Sequence, residues 1–298
     1  DHILRKGYNP TFGARPLLGV NGTEAMVSLL RAGEGGLVDY LKVGPFMGQE
    51  AIAALAPHYP LLLHLDDALG TRQAPSEETI RDIEALIQLT GTPWVSEHIA
   101  YGAADAHLRN ALHSEAVSDL WSYDEALEHI VRNARLLATR LSVPLLLENI
   151  PCFPNAAHRH VCEPAFIAAV IAETGCDLLL DLAHVRVSAD ILGYDAYDYL
   201  RLLPLERVVE LHLSGPRSVA EAHPRLRVLA CENARQMGSS SLGEHSVVDA
   251  HEPLRPEDYA LLEWTLQYTH PKAISLEYFR EPAALREQLE RLGCIIGR

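Results

Sequence analysis

Apolar runs only four to six residues long recur along the chain. Between them lie longer stretches whose apolar residues fall every three or four positions. The short runs read as strands covered on both faces, at Leu17–Val20, Val38–Val43, Pro60–Leu65, Pro93–His98, Pro144–Asn149, Asp177–Leu182, Val208–Leu213 and Lys272–Glu277. The longer stretches predict helices at Thr23–Arg31, Gln49–Leu55, Ser76–Leu89, Tyr123–Leu141, Glu163–Glu173, Tyr194–Leu202, Pro256–Tyr268 and Pro282–Leu292. Ser76 ahead of Glu77 and Glu78, and Glu163-Pro164 at a first turn, are helix-start signals. Eight strands alternating with helices predict an α/β fold, the (β/α)8 TIM barrel, as a single domain over residues 1–298. Nearly sixty residues separate Leu213 from Lys272, including Gly215-Pro216 and the run Met237-Gly238-Ser239-Ser240-Ser241. A connection of that length is usually functional.

The polar positions that break these runs have a place and a chemistry in common. LLLHL ends in His64, WVSEH in Glu97 and His98, LLLEN in Glu148, LLLDLAH in Asp181 and His184, VVELHL in His212, and ISLEYF in Glu277. A further segment, SVVDAH, adds Asp249 and His251. Burying one such group costs several kcal/mol unless something pairs with it. A lone histidine at a strand end is usually satisfied by a backbone hydrogen bond. Seven such placements argue instead that parallel strands converge at their C-terminal ends around cations.

Nine side chains form the candidate ligand set: His64, His98, Glu148, Asp181, His184, His212, Asp249, His251 and Glu277. Imidazole and carboxylate without thiolate suit iron, zinc or manganese. Four carboxylates in one pocket repel each other, and two or three divalent ions would neutralise them. Glu148, on the middle strand, is placed to bridge two ions. Asp249 and His251 are two apart, so an extended backbone turns both to one side. Glu97 alternates with His98 and reads as a supporting or pocket residue. With Asn149 and Ser214 it is a candidate for substrate binding. Glu148, His184 and Asn110 (in HLRNALH) are the candidate catalytic residues. GxSxG, GxxxxGK[ST] and GxGxxG are absent, which leaves the chemistry to a metal site.

Composition narrows the field. Lys plus Arg number 25 against 40 Asp plus Glu, a net charge of −15, which argues against nucleic acid as a partner. No apolar run approaches the ~20 residues of a membrane span, so no membrane association is expected. The five cysteines show no CxxC spacing and suit reduced thiols. Asp1-His2 begins no visible signal peptide, and the expected location is cytoplasmic.

The segments LLLHLDDALG, WVSEHIAY, HLRNALH, LLLENIPCFPN, GCDLLLDLAHVRVSA, VVELHLSG, VVDAHEP and SLEYF together resemble the multinuclear non-heme iron-dependent oxidases, the family of the methanobactin-biosynthesis oxidase. The likeness runs from about Leu17 to Phe279; Asp1–Arg15 has no counterpart and Glu221–Glu244 diverges. It implies a TIM barrel with two or three irons in mixed Fe(II)/Fe(III) states. It also implies O2-dependent modification of a cysteine in a ribosomally synthesised precursor peptide, aided by a small leader-binding partner protein. Carried onto this chain, the resemblance implies one metal on His64, His98 and Glu148, a second on Glu148, Asp181, His212 and Glu277, and a third on His184, Asp249 and His251. This chain has His184 where many relatives have Asn, which strengthens the third site and also makes the set look like that of zinc-dependent endonuclease IV-type enzymes.

Three other readings stand beside it. A zinc phosphodiesterase acting on abasic DNA needs a basic rim, which the charge balance disfavours. A xylose isomerase-like enzyme expects a lysine near the metals, and neither Lys42 nor Lys272 is expected near a ligand. A metal-stabilised peptide-binding subunit without turnover would leave no open coordination position.

Overall fold

Runs such as Leu61–Leu63 and Leu145–Leu147 carry nothing polar before their last positions, and they form staves of a closed barrel. The computed structural model describes residues 15–101, 121–152, 160–224 and 246–298. Its strands are β1 (Leu17–Asn21), β2 (Tyr40–Val43), β3 (Leu61–Gly70), β4 (Val95–Tyr101), β5 (Leu145–Glu148), β6 (Asp177–Asp181), β7 (Val208–Leu213), β8 (Gly215–Ser218), β9 (Val247–Glu252) and β10 (Ala273–Leu276). All but β8 and β9 pair in parallel and close the ring in the order β1-β10-β7-β6-β5-β4-β3-β2. The predicted TIM barrel is therefore the fold.

The helices described are α1 (Glu24–Arg31), α2 (Gln49–Leu55), α3 (Glu77–Thr90), α4 (Tyr123–Arg140), α5 (Pro164–Thr174), α6 (Leu182–Leu192), α7 (Ala196–Arg201), α8 (Pro256–Thr265) and α9 (Pro282–Ile295). Ser76 caps α3 by accepting from Thr79 N–H, and Ser122 with Glu125 forms a capping box on α4. The outward strand residues, among them Leu18, Leu41, Leu63, Leu147, Leu180 and Ile274, join the helices in one large core.

Two elements depart from the sequence reading. The sequence reading has no helix between Glu163–Glu173 and Tyr194–Leu202, but α6 starts directly at Leu182. Asp181 causes this: its carboxylate accepts from His184 N–H at 2.7 Å and caps the helix as the strand ends. In the long connection, β8 and β9 form an antiparallel hairpin outside the barrel. Asp249 and His251 thus come from the hairpin rather than from a stave.

Strand alternation sorts the barrel interior by depth. Leu17, Tyr40, Leu62, Trp94, Leu146, Leu179 and Ala273 form a separate apolar cluster, drawn from seven places around the ring. Gly19 lets it close, since a Cβ there would lie 2.3 Å from the Tyr40 ring. Two residues further along each of several strands the side chains are charged.

Candidate metal centre

Register brings the charged positions level. His98 pairs with Glu148, and both Asp181 and Ser275 pair with His212. Glu277 follows β10 directly, and the β8–β9 hairpin folds Asp249 and His251 back onto the same end.

Glu148 is the hub. Its Oε2 lies 3.3 Å from His64 Nε2 and 3.6 Å from His98 Nε2, while its Oε1 lies 3.3 Å from His212 Nδ1 and 3.6 Å from His184 Nδ1. His212 Nδ1 is also 3.3 Å from Glu277 Oε1 and 3.9 Å from Asp181 Oδ2. His184 Nε2 stands 3.7 Å from Asp181 Oδ2 and 3.4 Å from Asp249 Oδ2, and Asp249 Oδ2 lies 3.0 Å from His251 Nε2. His251 Nδ1 closes the circle 3.7 Å from Glu277 Oε2. All nine predicted ligands therefore meet in one chain of contacts.

Three groups have donor atoms close enough together to hold an ion: His64 with His98 and Glu148, Glu148 with Asp181 and His184, and Asp181 with His212 and Glu277. The first matches the grouping implied by the resemblance; the other two divide the middle of the cluster differently, with Asp181 in both. A cation fits these donors for a further reason. Glu148 Oε2, Asp181 Oδ2 and His212 Nδ1 are buried and make no hydrogen bond. Such orphaned atoms are costly, and a divalent ion would satisfy them.

The imidazoles are held from behind. His64 Nδ1 pairs with Ser96 Oγ at 2.8 Å and His184 Nδ1 with the Asn149 carbonyl at 2.7 Å, leaving each Nε2 toward the cluster. Glu97 Oε1 accepts from His98 N–H at 2.8 Å and lies 3.4 Å from His98 Nδ1. Carboxylate and carbonyl partners of this kind fix ring orientation at metal sites. Asn149 donates to the Asp181 carbonyl at 3.1 Å and accepts from Asp181 N–H at 2.9 Å, and Ser214 Oγ donates to Asp249 Oδ1 at 2.8 Å. Glu97, Asn149 and Ser214, the candidates for substrate binding, are buried, with hydrogen bonds that run to His98, Asp181 and Asp249. Asn110 lies outside the described residues. His251 is the non-glycine residue with positive φ (46°) among the described residues, local strain of the sort found at functional sites.

The groups also act on each other's protons. Burial pushes the His212 imidazole down, as does Lys42, but the Glu148 and Glu277 carboxylates outweigh both and hold it up at about 10. Burial likewise opposes the charged form of His251, and Asp249 overcomes it, lifting the group to about 9. Asp181 is raised to about 6, chiefly by burial, against the pull of His184. His64 falls well below its ordinary value, mainly through desolvation.

One expectation is overturned. Lys42 does touch a ligand: its ammonium is buried against His212 Nε2 and donates to Glu210 Oε1 at 2.5 Å. The sequence held the clue. Lys42 interrupts the apolar run YLKV, and Glu210 precedes His212 by two residues and so shares its face.

Fold and site together define a TIM-barrel protein with a histidine–carboxylate centre able to hold divalent cations. Solved structures of the same fold include the IolI protein with a bound zinc atom, at TM-score 0.57 and 12% identity, covering 94% of this chain and 98% of that one. Another is a xylose isomerase-like TIM barrel protein from Mycobacterium smegmatis in complex with magnesium, at TM-score 0.51 and 12% identity, covering 95% and 96%. More specifically, the family model of the RiPP precursor modification enzymes MbnB/TglH/ChrH matches residues 39–293, and the chain belongs to that family. Curated relatives include a UPF0276 protein of Caulobacter vibrioides, 30% identical over 187 residues, covering 60% of this chain and 65% of that one. A UPF0276 protein of Bordetella bronchiseptica is 32% identical over 208 residues, covering 68% and 64%. The chain thus spans slightly under two thirds of the length of these relatives. No helix among the described residues is long and apolar enough to cross a membrane.

Proposed function

We propose that this chain is a multinuclear non-heme iron oxidase that uses O2 to modify a cysteine residue of a ribosomally synthesised precursor peptide. The observation that carries the reading is the convergence of nine imidazoles and carboxylates at one end of the barrel, in a member of a family of precursor-peptide modification enzymes. His64, His98 and Glu148 would hold one ion; Asp181, His212 and Glu277, with Glu148 between, a second; His184, Asp249 and His251 a third. When bound, iron supplies a position for the substrate thiolate and electron exchange with O2. Zinc suits the same donors and is the competing occupant.

The protein's part is orientation. Glu148 keeps one oxygen toward each half of the cluster, while Ser96, Glu97, Asn149 and Ser214 hold individual ligands in place. Asp181 spends one oxygen on the α6 N-terminus and turns the other inward. Asn110 stays a candidate catalytic residue on the strength of the sequence alone. A small protein that captures the peptide leader is the expected partner, and the cytoplasm the expected location. The test is aerobic incubation of iron-loaded protein with a cysteine-containing peptide encoded beside its gene, followed by mass spectrometry and an oxygen electrode. A new peptide mass with O2 uptake supports the reading; neither mass change nor O2 uptake ends it.

A further inference from the structure

The nine ligands do not surround the mouth evenly. They come from β3, β4, β5, β6, the start of α6, β7, β9 and the end of β10, and β1 and β2 supply none. The interior positions of those two strands are Leu17, Gly19 and Asn21, and Tyr40, Lys42 and Gly44. Lys42 is taken up by Glu210 and His212. Asn21 is partly buried, and its side-chain amide has no hydrogen-bond partner among the described residues. The ligands thus form an arc that is open over β1 and β2. Exposure follows the same division. Glu277, which follows β10 beside β1, and its neighbour His251 have side chains 12% and 20% exposed, and His64 and His98 on the β2 side reach 10% each. Glu148, Asp181 and His212, deeper in the arc, are at 1% or less.

A phenylalanine stands at each edge of the open sector. Phe46, in the turn after β2, is 59% exposed. A Cβ at Gly44 would fall into its ring and onto the His64 carbonyl, so the ring lies over the interior face of β2. Phe279, two residues past Glu277, is 39% exposed, and its ring is tilted at 44° against that of His251, with centroids 4.9 Å apart. Single exposed apolar residues are ordinary on a protein surface; these two are distinguished by their place. Of the other large ones, Tyr194 donates to Glu163, and Leu202 and Tyr268 lie where α7 and α8 run back to strand starts, at the far end of the barrel. Strands β2 and β10 each adjoin β1, so their ends stand about 10 Å apart, the span of about three residues of extended chain. We propose that the precursor peptide crosses the mouth over β1 and β2, with apolar side chains on either side of the modified residue seated on Phe46 and Phe279 and its backbone within reach of the Asn21 amide. This rests on the peptide reading above and adds a substrate class to it: a cysteine bracketed by apolar residues, presented to the most exposed ligands.

The full chain loaded with Co2+ tests this, because a thiolate that reaches Co2+ gives a charge-transfer absorption band that can be titrated. Three probes are compared. One is N-acetylcysteine amide; the others are end-blocked tetrapeptides with cysteine second and glycine third, carrying either phenylalanine or glycine at both ends. The phenylalanine peptide should bind the parent about 10-fold more tightly than its glycine counterpart. Phe46→Ala and Phe279→Ala should each cut that ratio about 3-fold, with bound Co2+ and the affinity for N-acetylcysteine amide unchanged. Tyr268→Ala should leave every reading as in the parent. A parent without preference, a preference that either variant leaves whole, or a loss of bound Co2+ in either variant overturns the inference alone. A parent that takes up no Co2+, or that gives no band with any of the three thiols, overturns the metal or the cysteine reading above and this inference with it.

Discussion

The two ends of the barrel interior are built from the same staves and do opposite things. Leu62, Leu146 and Leu179 belong to the apolar plug, and two residues later on the same strands stand His64, Glu148 and Asp181. The plug gains by excluding water, at about 1.5–3 kcal/mol for a fully buried aliphatic side chain. The mouth loses by it, since each imidazole and carboxylate there gives up hydration that only partners or cations replace. A strand's period of two lets one run stabilise the fold at one depth and hold a strained, chemically useful cluster 6–7 Å further on, at a rise of about 3.3 Å per residue.

Glu148→Gln is the strongest way to break the contrast. It should lower the metal-to-protein ratio by two ions, by mass-spectrometric metal analysis, whereas His184→Asn should lower it by one; equal losses would contradict the bridging role. At the plug the outcome reverses. Leu179→Ala should cost about 2–5 kcal/mol in urea unfolding and leave the metal ratio unchanged. A smaller effect is expected from Gly19→Ala, which forces a Cβ into the Tyr40 ring and should cost about 1–3 kcal/mol by the same measurement.

The mildest effect is on pH dependence in the metal-free protein. The folded-state values of His251 and His212 are raised to about 9 and about 10. Their pairing is therefore fully stabilising below the ordinary histidine value of about 6.5 and is lost as pH rises through 9 and 10. Asp181, raised to about 6, acts in the same direction lower down: its contribution is full below about 4 and gone above about 6. The melting temperature of metal-free protein should fall steadily from pH 6 to 10. A rise over that range would show that the imidazoles are not paired as described.

The staves and their terminal ligands were legible in the sequence because a buried parallel strand is an unbroken apolar run, and a polar end stands out against it. His64, His98, Glu148 and His212 were found that way. Helix α6 was not, because in LLLDLAHVRVSADIL the polar residues His184, Arg186, Ser188 and Asp190 alternate with apolar ones at a strand's spacing, and its start depends on one carboxylate cap rather than on periodicity. The hairpin was missed because GPRS has no strand pattern, and its partner strand lies about thirty residues away. Lys42 and Glu210 were visible as charges inside apolar runs, but their meeting across the barrel depends on which strands face each other, which only closure of the ring decides.

Helix α6 has a mechanical consequence. Its first residues are clamped by Asp181 Oδ1, whose other oxygen faces the cluster, and from its last turn Asp190 accepts from Val247 N–H at 3.0 Å. Val247 begins the strand that returns Asp249 to within 3.4 Å of His184, on the helix's own first turn. Strand end, helix and hairpin thus form a closed linkage that leaves the cluster at Asp181 and re-enters it at Asp249.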